Sequence, residues 1–304
     1  MIRVGFEVGG SKLAAIALDP AGGDRARVRR PVPRSYQQVL SSVQEIVAAF
    51  ERAQGRAVGI GVAMPGVIGA GGEVLRAVNL PWLEGRPLRS DLEAALGLPV
   101  AIANDADCFT LSEASDGAAA GAGVVFGAVL GTGVGGGIVV GGRLLAGANG
   151  VAGEWGHNPM PQLAARDGPT PLCACGRRGC IEAWLNGAAL TRDYATQAGR
   201  EASPQEIAAL AEAGDGGARA TLARYRHRLG AALGLVVNLL DPDVIVLGGG
   251  LSEIASLYEE VPGLWSGFTV VAEPATRLVK ARFGPDSGLR GAARLAGPGA
   301  EAAG

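Results

Sequence analysis

Apolar residues recur along this chain with two different spacings, and the alternation between them predicts an α/β protein. Arg3 to Val8 is a short, mostly apolar run that leads into Gly9-Gly10, and Leu13 to Leu18 is a second, closed by the turn residues Asp19-Pro20-Ala21-Gly22-Gly23. Together they read as a hairpin that opens a sheet. From Tyr36 to Gln54 the spacing becomes helical, with Val39, Val43, Ile46, Val47 and Phe50 on one stripe. Val58 to Ala63 then reads as a buried strand, Ser90 to Leu96 as a helix, and Val100 to Ala103 as a strand with Asn104-Asp105 in the loop at its carboxyl end. Ligand chemistry in α/β sheets usually gathers at such ends.

After the Gly/Ala-rich stretch Gly117 to Gly123 the plan repeats. Val124 to Leu130 reads as a strand, Gly131 to Gly137 as a turn and Ile138 to Val140 as another strand. Tyr225 to Leu240 is an amphipathic helix, and Val244 to Leu247 a buried strand that ends in Gly248-Gly249-Gly250. Two similar α/β halves, each with a glycine turn near its first hairpin, describe two lobes around a cleft. A length of 304 residues agrees, since single cores stop growing near 250 to 300. The expected division is a smaller lobe over 1–116, completed by a C-terminal helix at 288–304, and a larger lobe over 117–287.

Composition narrows the classes of function. The hydrophobic fraction of 48% is scattered in short runs, with no span of about 20 apolar residues, so no membrane helix is expected. Net charge is −2 with Lys and Arg dispersed, which argues against nucleic acid or anionic lipid as partners and for small molecules. The opening MIRVGFEVGG shows no cationic stretch, apolar core and cleavage site, so a cytoplasmic location is expected. Three of the four cysteines crowd into Pro171 to Glu182, too tightly for an ordinary disulfide framework, which favours a metal.

The candidate chemistry lies in four places. Glu7-Val8-Gly9-Gly10-Ser11-Lys12 joins two strands, where glycines let backbone N–H groups approach an anion while Ser11 and Lys12 add a hydroxyl and a charge; a plain hairpin turn is the alternative. Gly131-Thr132-Gly133-Val134-Gly135-Gly136-Gly137 holds the same place in the second half, and two such turns can grip the phosphates of ATP. Asn104-Asp105-Ala106-Asp107 follows a strand, so Asp105 can serve as the base that phosphoryl transfer to a hydroxyl requires; a helix N-cap is the alternative, weighing more on Asp107. Cys173, Cys175 and Cys180, with His157 sixteen residues before Cys173, supply three thiolates and an imidazole, a closed set for structural zinc; free core cysteines are the alternative. Such a metal brings Glu154 and Glu182 near one another, where they can accept hydrogen bonds from sugar hydroxyls unless both are simply solvated. His227, in the basic run Arg224 to Arg228, reads as part of a solvated helix face, and Cys108 as a small apolar residue.

These motifs, in this order from Val4 to about Arg294, resemble the ROK family of repressors, open reading frames and kinases. The Gly153-Glu154-Trp155-Gly156-His157 run and the span Cys173 to Glu182 match its signatures. The resemblance implies a two-lobed actin-like, hexokinase-like ATPase fold with a duplicated ribonuclease H-like motif, and a zinc-binding segment at 157–180. It implies Asp105 as base; Asn104, Asp105, Glu154, His157 and Glu182 on the sugar, with Asn79 and Gly66 in the sugar loop; and Gly9, Gly10, Ser11, Lys12, Gly131, Thr132, Gly133, Gly135, Gly248, Gly249 and Gly250 near the nucleotide. ATP, Mg²⁺ and structural Zn²⁺ follow as cofactors, and a homodimer as the assembly. Several stretches, Asn158-Pro159-Met160-Pro161 above all, look like bacterial fructokinases, so D-fructose to fructose 6-phosphate is the expected reaction. Glucokinase, N-acetylglucosamine kinase and mannokinase are the alternatives, then a sugar sensor without turnover. One departure stands out: the family's first loop begins with Asp, and Glu7 here carries one more methylene where a carboxylate would orient Mg²⁺.

Overall fold

The computed structural model describes residues 1–69, 71–77, 79–163 and 167–296. The end of the expected C-terminal helix, 297–304, and residues 164–166 of the expected zinc segment lie outside them. The described chain is α/β, with strands and helices in two compact units. One unit holds Met1–Gly121, Gly137–Ala152 and the chain from Pro285 to the end of the described residues; the other holds Ala122–Gly136 and Gly153–Gly284. Residues 117–121, 137–152 and 285–287, which fall within the larger lobe expected over 117–287, group with the first unit.

In the first unit, strands β1 (Ile2–Val8), β2 (Lys12–Leu18), β3 (Asp24–Pro31) and β4 (Ala57–Met64), with helix α1 (Tyr36–Gln54), come first. A short hairpin β5 (Val67–Ile68) and β6 (Val74–Arg76), helix α2 (Leu88–Leu96), strand β7 (Val100–Asn104) and helix α3 (Asp105–Ser115) follow. The sheet order is β3-β2-β1-β4-β7, with β1, β4 and β7 parallel and the two hairpin partners antiparallel. Strand β2 shows why the sequence is apolar throughout: Leu13, Ala15 and Ala17 point into the core shared with α1, and Ala14, Ile16 and Leu18 into a second layer. Helix α1 begins where Ser35 Oγ accepts the Gln38 N–H at 3.3 Å, as an N-cap should. Strand β3 went unread in the sequence because, as an edge strand, it offers only Ala26 and Val28 to the core among its arginines.

The remaining elements are β8 (Val124–Leu130), β9 (Val134–Val140), β10 (Arg143–Leu144), α4 (Ile181–Leu185), α5 (Gly187–Ala198), α6 (Pro204–Glu212), α7 (Gly216–Leu240), β11 (Val244–Gly248), α8 (Ser256–Leu264), β12 (Arg277–Lys280) and α9 (Ser287–Leu295). Their sheet runs β10-β9-β8-β11-β12, with β11 parallel to both neighbours. Helix α7 is nine residues longer at its start than the spacing suggested, because Asp215 caps it by accepting the Ala218 N–H at 2.7 Å. Arg228, read as part of a solvated face, is buried instead, paired with Asp167 and Asp193 at 2.9 Å each. His227 does remain exposed, edge-on to Phe268. No helix among the described residues is long and apolar enough to cross a membrane.

Helix α9 packs in the first unit against β1, β4 and α3, and glycines set the distance of approach. A β-carbon on Gly61 would run into the Ala292 carbonyl, and one on Gly291 into the Cys108 carbonyl. Gly61→Ala should therefore cost about 1–3 kcal/mol, read as a lowered urea midpoint. Exposed Gly263 of α8, around which an added β-carbon meets nothing within 4 Å, provides the control: Gly263→Ala should change stability by no more than about 1 kcal/mol, in the favourable direction.

Candidate functional site

Three parallel strands of the first unit end together. Glu7 lies beside Ala63, and Met64 beside Asn104, so the residues that follow β1, β4 and β7 emerge on one edge of the sheet. The first turn closes there, with the Gly9 N–H donating to the Lys12 carbonyl at 2.9 Å. Lys12 Nζ reaches back to Glu7 Oε1 at 2.8 Å. The longer glutamate thus spans the turn and pairs with its lysine. An added β-carbon on Gly10 would lie 3.4 Å from the Asn79 side chain, which places Asn79 against the turn. Asn104 Nδ2 donates to the Gly66 carbonyl at 3.0 Å, tying the strand end to the loop after β4. Gly66 adopts φ 128°, a backbone region that favours glycine. Asn104 also caps α3, its Oδ1 accepting the Ala106 N–H at 2.8 Å. The cap that the sequence left open thus falls on Asn104, and Asp105 sits exposed in the first turn of the helix with Oδ1 2.9 Å from the same N–H.

In the second unit the glycine turn is shorter than expected. Gly131, Thr132 and Gly133 make the turn, and β9 already begins at Val134, so Gly135 is a strand residue. Strand pairing wins over the glycine run because the Val134 side chain is buried. Three groups hold the turn: Gly187 N–H donates to the Gly131 carbonyl at 2.8 Å, Trp155 Nε1 to the Gly135 carbonyl at 2.8 Å, and Val134 N–H to Glu182 Oε2 at 3.1 Å. Sequence reasoning missed Trp155 and Gly187 here, for neither carries a local signal of what its N–H meets. Gly248, last residue of β11, pairs with Val129, and Gly249 at φ 81° lies so close to Leu130 that a β-carbon would strike its carbonyl. The glycines 248–250 and the turn at 131–133 therefore adjoin.

Four donors converge near the second turn. The Sγ atoms of Cys173, Cys175 and Cys180 and one ring nitrogen of His157 all lie within 4.8 Å of one another. Cys175 and Cys180 Sγ are 3.6 Å apart, as are Cys173 Sγ and His157 Nδ1. Zinc–sulfur bonds of about 2.3 Å in a tetrahedron require edges of about 3.8 Å, so the set fits zinc. Gly176 at φ 88° and Gly179 at φ 79° make the tight knuckle that brings the thiols round. The other face of His157 looks toward Glu154, with Nε2 3.8 Å from Oε2. Glu182 Oε1 accepts from Cys173 Sγ at 3.3 Å. Both glutamates thus border the cluster, Glu154 exposed and Glu182 half-buried. Burial pushes the Cys173 thiol up to about 12, whereas the Arg177 side chain beside Cys175 draws that thiol down to about 6. Cys108 is fully buried, as a small apolar residue would be.

A family model described as the ROK family matches residues 3–298. The chain belongs to the ROK family. This ROK chain is 37% identical to an N-acetyl-D-glucosamine kinase of Salmonella paratyphi C over 296 residues, 96% of this chain and 98% of that protein. It superimposes on a ROK hexokinase from Thermus thermophilus with a TM-score of 0.85 at 34% identity, over 97% and 98% of the two chains. A ROK glucokinase from Streptomyces griseus, solved with glucose and AMPPNP, matches with a TM-score of 0.77 at 28% identity, over 97% and 99%. The α/β fold expected from the sequence is thus the fold of these ROK enzymes.

Two outcomes follow for the cysteine cluster of this ROK protein. The fit of the four donors to zinc predicts about one ion per chain by elemental analysis, and Cys173→Ser should bring that to near none. After chelation Cys175 should be the first thiol alkylated by iodoacetamide. Its rate should rise as pH climbs through about 6, where its thiolate forms, while Cys173, held up at about 12, stays slow; mass mapping between pH 5 and 8 reads both.

Proposed function

We propose that this ROK protein transfers the terminal phosphoryl group of ATP to the 6-hydroxyl of a free hexose, with Asp105 as the base. The observation that carries the reading is the end of β7: Asn104 caps α3, holds the Gly66 carbonyl, and leaves Asp105 exposed beside it. A carboxylate there can take the hydroxyl proton while the oxygen attacks phosphorus and the bond to the bridging oxygen of ADP breaks. Such transfer asks mainly for position and charge neutralisation. In the first unit we assign Gly9, Gly10, Ser11 and Lys12 to the nucleotide and Asn104, Asn79 and Gly66 to the sugar. In the second unit we assign Gly131, Thr132, Gly133 and Gly248 to Gly250 to the nucleotide, and Glu154, His157 and Glu182 to the sugar. Gly135 keeps a role there through its carbonyl, which anchors the turn to Trp155. Magnesium, when bound, neutralises phosphate charge; Glu7 is the residue assigned to it, sharing its carboxylate with Lys12. Zinc in the cysteine–histidine cluster, a cytoplasmic location and a homodimer belong to the same proposal.

Among hexoses we place N-acetyl-D-glucosamine first, because a kinase named for it is 37% identical over 96% of this chain. D-Fructose comes second, supported only by the run Asn158 to Pro161; the relatives described above are N-acetylglucosamine kinase, hexokinase and glucokinase, not fructokinases. Coupled ADP release with Mg²⁺ and ATP over N-acetylglucosamine, glucose, mannose and fructose should give the highest kcat/KM with the first. A higher value with fructose reverses the order, and release with no hexose removes the kinase reading. Asp105→Asn should lower kcat by about 10²- to 10⁴-fold while sugar affinity holds. Near-normal turnover in that variant would rule Asp105 out as base.

A further inference from the structure

Glu182 joins two parts of the second unit that lie far apart in sequence. Its Oε2 accepts the N–H of Val134, the first residue after the glycine turn and 48 positions away, at 3.1 Å. Its Oε1 accepts from Cys173 Sγ at 3.3 Å, and Cys180, a second donor of the cluster, stands two residues before it. The short helix α4 that carries Glu182 is fixed at both ends. Ile181 N–H donates to the Asn158 carbonyl at 2.9 Å, and the buried Tyr225 hydroxyl donates to the Leu185 carbonyl at 2.9 Å. Between them Trp184 stacks under the Arg228 guanidinium, 4.8 Å from the ring centre. The fit to the turn is close, for a β-carbon on Gly133 would lie 2.9 Å from Glu182 Oε2.

We propose that Glu182 is a positioning residue for the second glycine turn, and that through it occupancy of the Cys173, Cys175, Cys180 and His157 cluster sets the affinity for nucleotide. The inference rests on reading that turn as a phosphate-binding element. A turn with three exposed or half-exposed residues and two glycines has many conformations of similar energy. A charged acceptor on the next amide selects among them, since hydrogen bonds to charged groups outweigh neutral ones. Metal ligation takes the Cys173 thiol proton that Glu182 Oε1 accepts here, so the loaded cluster holds the carboxylate through the chain, Cys180 standing two residues before it, rather than through that hydrogen bond. Metal loss frees the knuckle, the carboxylate shifts, and the turn no longer presents its amides as a fixed set.

The test is calorimetric titration with the non-hydrolysable ATP analogue AMPPNP and no sugar, so the readout is affinity rather than turnover. Stripping zinc from the wild type should weaken binding about tenfold, the scale of one charge-assisted hydrogen bond. Zinc-loaded Glu182→Ala should show a similar loss while retaining its metal, and stripping that variant should add less than about twofold. Glu182→Gln, which keeps a carbonyl acceptor for the Val134 N–H, should stay within about threefold of wild type. Equal affinity in loaded and stripped wild type, or normal affinity in loaded Glu182→Ala, overturns the proposal. If circular dichroism shows the stripped protein or Glu182→Ala unfolded, loaded Gly133→Ala decides: its β-carbon should displace the carboxylate and give the same tenfold loss, and unchanged affinity overturns the coupling. Failure of the loaded wild type to bind AMPPNP at all would instead remove the phosphate-turn reading beneath it.

Discussion

Because β1, β4 and β7 run parallel, whatever follows each strand must leave the sheet at the same edge, and the chemistry of the first unit depends on that constraint. Glu7 to Lys12, Gly66, and Asn104 with Asp105 are spread over about a hundred residues, yet the pairing of Glu7 with Ala63 and of Met64 with Asn104 puts them in adjoining rows. The helices contribute by being pressed close to the sheet. Glycines at 5, 61 and 291 let α9 approach β1, β4 and α3 more nearly than any side chain would permit. The close layer behind the sheet fixes where these strand ends lie.

The second unit reaches order by another route. Its glycine turn has little packing of its own, and its conformation is imposed by the N–H groups of Gly187 and Trp155, which donate to it and to the start of β9, and by Glu182, which accepts from the Val134 N–H. Trp155 is itself fixed by an edge-on contact with Phe126 of β8, 5.5 Å between ring centres. Two of the three anchors stand in the signature runs around His157 and Cys180, so the segment that gathers metal donors also steadies the turn.

Much of this was legible in the chain. The helical stripe from Tyr36 to Gln54 and the strand Val124 to Leu130 stand in the structure with the bounds their spacing predicted, since the helix buries one apolar stripe and the strand is buried on both faces. Strand β3 was not legible, because at the sheet edge only Ala26 and Val28 carry its apolar alternation among the arginines. Neither was the burial of Arg228, whose partners Asp167 and Asp193 come from distant segments. The glycine run 131–137 misled in the opposite direction, appearing as one long turn when four of its residues belong to β9.

What the sequence alone determined is the set of chemical groups and their order: three thiols and an imidazole, an Asn-Asp pair after a strand, two glycine turns and the α/β class. Those are properties of local spacing, and short-range sterics and periodicity are enough to read them. Tertiary structure alone decided which groups meet: Lys12 with Glu7, Asn104 with the Gly66 carbonyl, His157 Nδ1 with Cys173, and Glu182 with Val134. The reason is physical. A hydrogen bond between residues 38 or 48 positions apart depends on strand register and on how closely helices pack, and neither quantity is written in any local stretch of chain.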